Sequence, residues 1–517
     1  MYPGHWATVH GEKAAAINSA TGESISYNQL NDRSNQLAQL MYAHGLRKGD
    51  HVAIMMENNL RYFEFIWAAL RSGLFFTTVN RYLTADETAY IVNDCGAKVF
   101  VTSCEMSQTA EQLLPLVSDD LLKLMTDGVI DGYNAYETSL ENHKAVELSE
   151  QPCGAVMLYS SGTTGQPKGI LPRLPKHGIE DFHKRGAALQ QMLWKFDENT
   201  CYLSTAPNYH SAPIGFMTAT QALGGTVIMM PKFDALDALK AIEDYKITHS
   251  QWVPAMFSRL LKLSEDERKQ HDLSSLKVAI HAAAPCPKQV KMQMIDWWGP
   301  IIFEYYSATE AVGMTHVNTL EWLNKPGTVG KPIFGTLHVC DKQGNELPKG
   351  ESGLLYFEMP KLPFTYHNDK QKTKDTQHPF HENWAAIGDV GYVDEDGYLF
   401  LNDRANFMII SGGVNIYPQE IEDALLIHPS VADVAVFGVP NKEMGEEVKA
   451  VIELEKGLEH SDELASELME FSRQNIARYK CPKSIEFIDK LPRLPTGKLY
   501  KRALKEQYWQ DQESCVV

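Results

Sequence analysis

The sequence has no apolar run of about 18 residues, the length a helix needs to cross a bilayer, so no membrane span is expected. Its opening, MYPGHWATVHGEK, lacks a basic segment followed by an apolar one, so no secretory signal is read there. Cysteine is sparse: the eight in 517 residues form no CxxC pair. That argues against a zinc cluster and for reduced, buried thiols in a cytoplasmic setting. Positive charge is in short supply too, with 48 Lys and Arg against 66 Asp and Glu. A net charge of −18 repels phosphate backbones at long range and excludes sequence-independent nucleic-acid binding. Internal repeats and low-complexity segments are also missing.

One region breaks the acidic balance. Between Arg473 and Lys505 ten Lys or Arg face only Glu486 and Asp489, which makes either an anion site or a solvated basic face.

The length suits roughly two to four domains. Leu30, Leu37, Ala38 and Met41 mark one face of a helix ending at Gly45, and HVAIMM (51–56) then reads as a buried strand. A helix from Tyr62 to Gly73, the strand AKVFVT (97–102), GTVIMM (225–230) and LKVAIHAAA (276–284) continue the alternation. Strands alternating with helices predict a mostly parallel, helix-covered sheet that gathers ligands at the carboxyl ends of its strands. From about Gly335 the texture becomes β-rich, with Gly397 in a hairpin turn. After the stretch LNDRAN (401–406) a small α+β unit begins: the strand FMII, a helix opened by Pro418, and the strands VADVAVFGV and EVKAVIEL. The expected division is 1–402, a large α/β domain with a β-rich subdomain, and 403–517, a small α+β domain.

Between two apolar runs lies YSSGTTGQPKGI (159–170). Glycines let backbone approach an anion, hydroxyls donate to phosphate oxygens and Lys168 adds a point charge, so the stretch suits a polyphosphate. It is not the GxxxxGK[ST] loop of kinase-type nucleotide sites, because Gly165 is not adjacent to Lys168, which is followed by Gly169 rather than Ser or Thr.

Five separated segments occur in a telling order: YSSGTTGQPKG, YYSATE (305–310), IGDVGYVDEDGYL (387–399), DRANFMIISGGVNIYPQEIE (403–422) and LPRLPTGKLYKR (491–502). Together they resemble the adenylate-forming superfamily of acyl-CoA synthetases, luciferases and peptide-synthetase adenylation domains. The SGGVNIYPQEIE segment is most similar to bacterial fatty-acyl-CoA synthetases. The resemblance implies that Thr163, Thr164 and Lys168, with Ser161, Gly162 and Gly165, hold the outer phosphates of ATP. It implies that Tyr306 stacks on adenine, Thr309 bonds the α-phosphate, and Glu310 with Thr163 holds Mg²⁺. Asp389 would accept the ribose hydroxyls and Arg404 would bind ribose or phosphate. Lys498, in PTGK, would bridge the attacking carboxylate and the α-phosphate. Gly412 and Gly413 would let pantetheine pass close to backbone. The hinge, two residues after Arg404, is Asn406 where the family usually has Lys or Asp.

The implied reaction joins a carboxylic acid to AMP and then passes the acyl group to a thiol, either coenzyme A or the pantetheine of a carrier protein. A chain without a carrier domain and with a basic Arg473–Lys505 region favours coenzyme A. The implied partners are thus the acid, ATP and coenzyme A, with a homodimer left open. A non-catalytic nucleotide-binding homologue is the alternative from another class, and intact Lys498 and Glu310 argue against it. For the acid pocket, His210 is a candidate gate, and Phe216, Trp252, Met256, Val312 and Met314 are candidate lining residues. With no Lys or Arg in the stretches PNYHSAPIGF (207–216), QWVPAMF (251–257) and ATEAVGM (308–314) that carry them, the expected acid is apolar: medium or long fatty, aryl-alkanoic or alicyclic.

Overall fold

Two sheets rich in parallel pairing organise the first part of the chain in the computed structural model, which describes residues 1–160, 167–404, 407–412, 414–441, 443–493 and 499–509. One is entirely parallel and runs Asn134–Ala135, Leu122–Thr126, Ala97–Ser103, His51–Met55, Phe75–Thr78, Ala155–Val156. The second has nine strands. Its parallel centre runs Ile302–Ser307, Val278–His281, His249–Trp252, Cys201–Ser204, Thr226–Met229, and antiparallel Met314–Val317 and Lys331–Phe334 extend one edge.

Local chemistry sets where the helices start and stop. Ser26 Oγ accepts from the Gln29 amide while Gln29 Oε1 accepts from the Ser26 amide, a reciprocal cap that opens helix Tyr27–Ala43. Leu30, Leu37, Ala38 and Met41 are all buried on that helix, and Gly45, at φ 89°, turns the chain away after it. Helix Arg61–Arg71 is buried almost throughout its length, and its Glu64 is neutralised by Arg33 at 2.6 Å and Arg61 at 2.9 Å.

The β-rich part is a four-stranded antiparallel sheet of Thr336–Cys340, Gly353–Glu358, Trp384–Val393 and Leu399–Arg404. A smaller antiparallel sheet joins Leu158–Ser160, Lys168–Pro172 and Phe364–Tyr366. It places the strand leaving the glycine-rich stretch against Phe364–Tyr366. The last part is a five-stranded sheet covered by helices Pro418–Leu425 and Asp462–Asn475, with Pro418 in the first helical turn. The architecture is thus the expected α/β fold with a β-rich subdomain and a small α+β unit.

Several boundaries differ from the sequence reading by a few residues, among them the strand read as FMII, which is Ile409–Ser411, and two of the differences have a plain cause. The strand expected over 276–284 is only Val278–His281, because Ala283 takes a left-handed conformation at φ 75° and ends it. The stretch 401–406, expected to follow the last hairpin strand, is partly inside it: pairing continues to Arg404 opposite Asp389. Among the described residues no helix is long and apolar enough to cross a membrane.

Candidate active site

Strand Ile302–Ser307 ends in the turn that carries Thr309 and Glu310, at the carboxyl end of the nine-stranded sheet. Successive side chains on a strand point to opposite faces, so Tyr305 and Tyr306 part company. The Tyr306 hydroxyl donates to Asp389 Oδ2 at 2.6 Å, and its ring lies 6.3 Å from that of Phe357. Asp389 is the cross-strand neighbour of Arg404, so three residues expected around the nucleoside converge although 98 positions of sequence separate the first from the last. Of Arg404 only the backbone is among the described residues.

The turn itself is tight. Ala311 sits at φ 53°, Ser307 Oγ donates to the Gly313 carbonyl at 2.7 Å, and a Cβ on Gly313 would lie 2.0 Å from the Phe357 ring. This packing projects Thr309 into solvent and leaves Glu310 half-buried. The Glu310 carboxylate accepts from the Tyr366 hydroxyl at 2.7 Å. Among the described residues no group of three or more His, Cys, Asp or Glu could form a metal cage. A lone carboxylate fits Mg²⁺, which takes one or two protein carboxylates and fills its octahedron with phosphates and water.

Lys168 opens strand Lys168–Pro172, and its ammonium lies 3.0 Å from Asp369 Oδ2. Asp369 Oδ1 caps helix Lys370–Asp375 by accepting from the Lys372 amide at 2.8 Å. That bond, then Lys168, holds the Asp369 carboxyl below its ordinary range, and Asp369 in turn raises Lys168. If this lysine binds phosphate, as the resemblance implies, it has to exchange this partner for it. Asp369→Asn keeps a capping side chain and removes the competing charge. A partly exposed pair is worth about 0.2–1 kcal/mol, so the variant is expected to bind ATP up to about fivefold more tightly by calorimetry. Unchanged or weaker binding would show that Asp369 does not compete for the lysine.

Ser161, Gly162, Thr163, Thr164, Gly165, Asn406, Gly413 and Lys498 lie outside the described residues. Gly412 is described: its amide donates to the Met444 carbonyl at 2.8 Å beside the exposed side chains of Ile410, Val414 and Met444.

The expected acid pocket divides among three clusters. Phe216 is buried in helix Ser211–Ala222, with its ring 5.4 Å from Trp194, 5.9 Å from Tyr202 and 6.2 Å from Tyr305, and Met314 belongs to the same cluster. Trp252 and Met256 pack in a different one. On strand His249–Trp252, His249 and Gln251 face the Phe216 side, while Trp252 shares the opposite face with Ser250, to whose Oγ it donates at 2.7 Å. Val312 packs with Ile170, Phe357 and Tyr366 in the small sheet's core. Of the five, Phe216 stays with Met314 and Trp252 with Met256, while Val312 stands apart from both pairs.

His210 stands at the start of the Phe216 helix, its ring 4.3 Å from Tyr209. Its Nε2 is buried without a hydrogen-bond partner among the described residues, and burial pushes the imidazole down to about 4, so it is neutral near pH 7. Sequence reasoning missed what surrounds it. Asn58 Oδ1 accepts from the Asn208 amide at 2.8 Å and Thr78 donates to the Tyr209 carbonyl at 2.8 Å, tying this loop to the other sheet. Gln251 joins Tyr202 and Tyr305 by hydrogen bonds of 3.2 and 3.4 Å inside the Phe216 cluster.

The basic Arg473–Lys505 region is largely neutralised. Arg473 pairs with Glu470, Lys480 with Glu420, Arg493 with Asp433, Lys501 with Glu422, Arg502 with Glu506 and Lys505 with Glu446. Read in the fold, most of that charge is a salt-bridged surface.

The AMP-binding enzyme model matches residues 4–367, and that of the AMP-binding enzyme C-terminal domain matches 420–498. The chain belongs to this family. It is therefore an adenylate-forming enzyme of the AMP-forming ligase class, as the five motifs implied. Among similar members is a fatty acid–[acyl-carrier-protein] ligase from Streptomyces coeruleorubidus, 30% identical over 95% of this chain and 93% of that protein. A feruloyl-CoA synthase from Amycolatopsis sp is 31% identical over 94% of each. ATP-bound MatB from Rhodopseudomonas palustris superposes with a TM-score of 0.80 at 26% identity, covering 98% of this chain and 99% of that one. AMP-binding enzymes this similar in sequence thus differ in both acid and thiol.

Proposed function

We propose that the protein is an AMP-forming acyl-CoA synthetase that activates an apolar carboxylic acid. The meeting of Tyr306, Thr309 and Glu310, at the end of strand Ile302–Ser307, with Asp389 of the four-stranded sheet carries this reading. Tyr306 and Asp389 present a ring to the base and a carboxylate to the ribose diol. The stretch 159–170 grips the departing pyrophosphate, and Thr309 bonds the α-phosphate. Glu310 with Thr163 would hold Mg²⁺, which would supply neutralisation of phosphate charge. Lys498 bridges two anions that would otherwise repel as the carboxylate oxygen bonds to the α-phosphorus and pyrophosphate leaves. A thiolate then attacks the acyl carbon of the mixed anhydride and AMP departs. Residues 1–402 supply the nucleotide and acid sites, and 403–517 carry Lys498 for the first step and Gly412 and Gly413 for the second.

The aromatic, nearly uncharged surroundings of Phe216 support an apolar acid, fatty, aryl-alkanoic or alicyclic. Coenzyme A is the acceptor we favour, in line with the feruloyl-CoA synthase relative. A carrier-protein pantetheine is the second reading, favoured by the Streptomyces ligase and by the neutralised basic region. A panel of acids assayed for AMP release, with coenzyme A or a pantetheinylated carrier protein, separates the two. Release with an apolar acid that depends on coenzyme A supports the proposal; release with the carrier alone transfers it to the second reading. No release with any acid overturns both.

A further inference from the structure

The Glu310 carboxylate is held by a residue that no motif contains. Among the described residues no lysine, arginine or histidine forms an ion pair with it, yet Tyr366, 56 positions away, donates to its Oε1 at 2.7 Å. We propose that Tyr366 is a positioning residue for Glu310, fixing the carboxylate in the orientation that receives the metal of the metal–nucleotide complex. The proposal rests on the adenylation reading given above.

Tyr366 is itself firmly placed. It is 7% exposed, its ring meets that of Phe364 edge-on at 5.3 Å, and its amide donates to Thr373 Oγ1 at 2.8 Å. It pairs across the small sheet with Ile170, and the next residue, His367, donates its amide to the Gly169 carbonyl at 2.7 Å. A phenol on so rigid a strand can hold a carboxylate whose own backbone sits in a tight turn at Ala311. Donation to one oxygen leaves acceptor capacity on the group, and a hard divalent cation needs only that. Outer partners of this kind set ligand orientation, and losing one commonly costs about 10- to 100-fold in metal affinity or activity.

The same short segment also reaches the phosphate side. Three residues beyond Tyr366, Asp369 binds Lys168 at 3.0 Å. Residues 364–369 therefore touch both Glu310 and Lys168.

The test uses the full chain, Mn²⁺ as the metal and a non-hydrolysable ATP analogue, with metal–nucleotide affinity read by calorimetry and by the Mn²⁺ electron paramagnetic resonance signal. Tyr366→Phe keeps the ring against Phe364, so it is expected to fold, with affinity weakened about tenfold or more. Glu310→Gln weakens it as well. In the double variant Tyr366→Phe should add less than about twofold, because a residue acting only through Glu310 has nothing left to position. Additive losses, or a Tyr366→Phe affinity equal to wild type, overturn the proposal; loss through poor folding would be additive and so counts against it. A wild-type protein with no affinity for the metal–nucleotide overturns the adenylation reading itself, which separates the two failures.

Discussion

Lys498→Ala is expected to lower acyl-adenylate formation by about 10²- to 10³-fold or more while leaving thioester formation from supplied acyl-adenylate near the wild-type rate. The two half-reactions place opposite demands on this residue. In the first, a carboxylate approaches a triphosphate, and negative charge concentrates on the oxygens around the α-phosphorus. A fixed ammonium there is worth far more than in water, because it is already in place when the charge develops. In the second, the phosphate is already joined to the acid as the mixed anhydride and the nucleophile is a sulfur that attacks carbon, so no second anion need be drawn to phosphorus. Pyrophosphate exchange measures the first step, and thioester release from synthetic acyl-adenylate measures the second. Equal loss in both would place Lys498 in general nucleotide binding, and no loss in the first would remove it from the chemistry.

Order along the chain and residue type made the reaction class readable from sequence, since the stretch of hydroxyls, glycines and a lysine and the segments carrying Tyr306, Glu310 and Asp389 are motifs that need no fold to be seen. The alternation of strands and helices was equally plain, because periods of 2 and 3.6 are properties of the residues themselves. What stayed hidden depends on contacts between distant positions. Nothing local announces that Tyr366 serves Glu310, that Asp369 occupies Lys168, or that Asn58 ties down Asn208. The expected acid-pocket residues fall in different clusters for a related reason: an apolar residue is marked for burial but not for a sheet face, so Trp252 and Phe216 looked equivalent. Alanine gives no hint of left-handed backbone, which hid Ala283 and Ala311 at the ends of neighbouring strands. Charge counted along a chain overstated the anion site at Arg473–Lys505, because its acidic partners come from other segments, among them Glu420 and Asp433.

A lysine and a glutamate inside the fold give the largest expected effect on stability. Lys291, 1% exposed in helix Lys288–Trp298, places its ammonium 2.5 Å from Glu304 Oε2 on strand Ile302–Ser307, and 4.8 Å from the Trp322 ring. His281 Nε2 lies 3.5 Å from the same oxygen. Burial and the neighbouring lysine push that imidazole far below its ordinary range, so it is neutral and cannot replace the ammonium. Burial also raises the Glu304 carboxyl, against which Lys291 pulls. Such a pair barely offsets its own desolvation, but breaking it strands a charge: Glu304→Gln is expected to cost about 3–5 kcal/mol. Replacing both, as Lys291→Met with Glu304→Leu, removes the buried charges altogether and should recover most of that loss. Melting of the single and double variants at one scan rate checks this, since a chain of this size can unfold irreversibly. Equal melting of the double and single variants would mean that packing, not the stranded ammonium, sets the cost. Because Glu304 and Tyr306 lie two residues apart on the same strand face, the single variant should also raise the KM for ATP through a loosened strand, and the double variant should restore it.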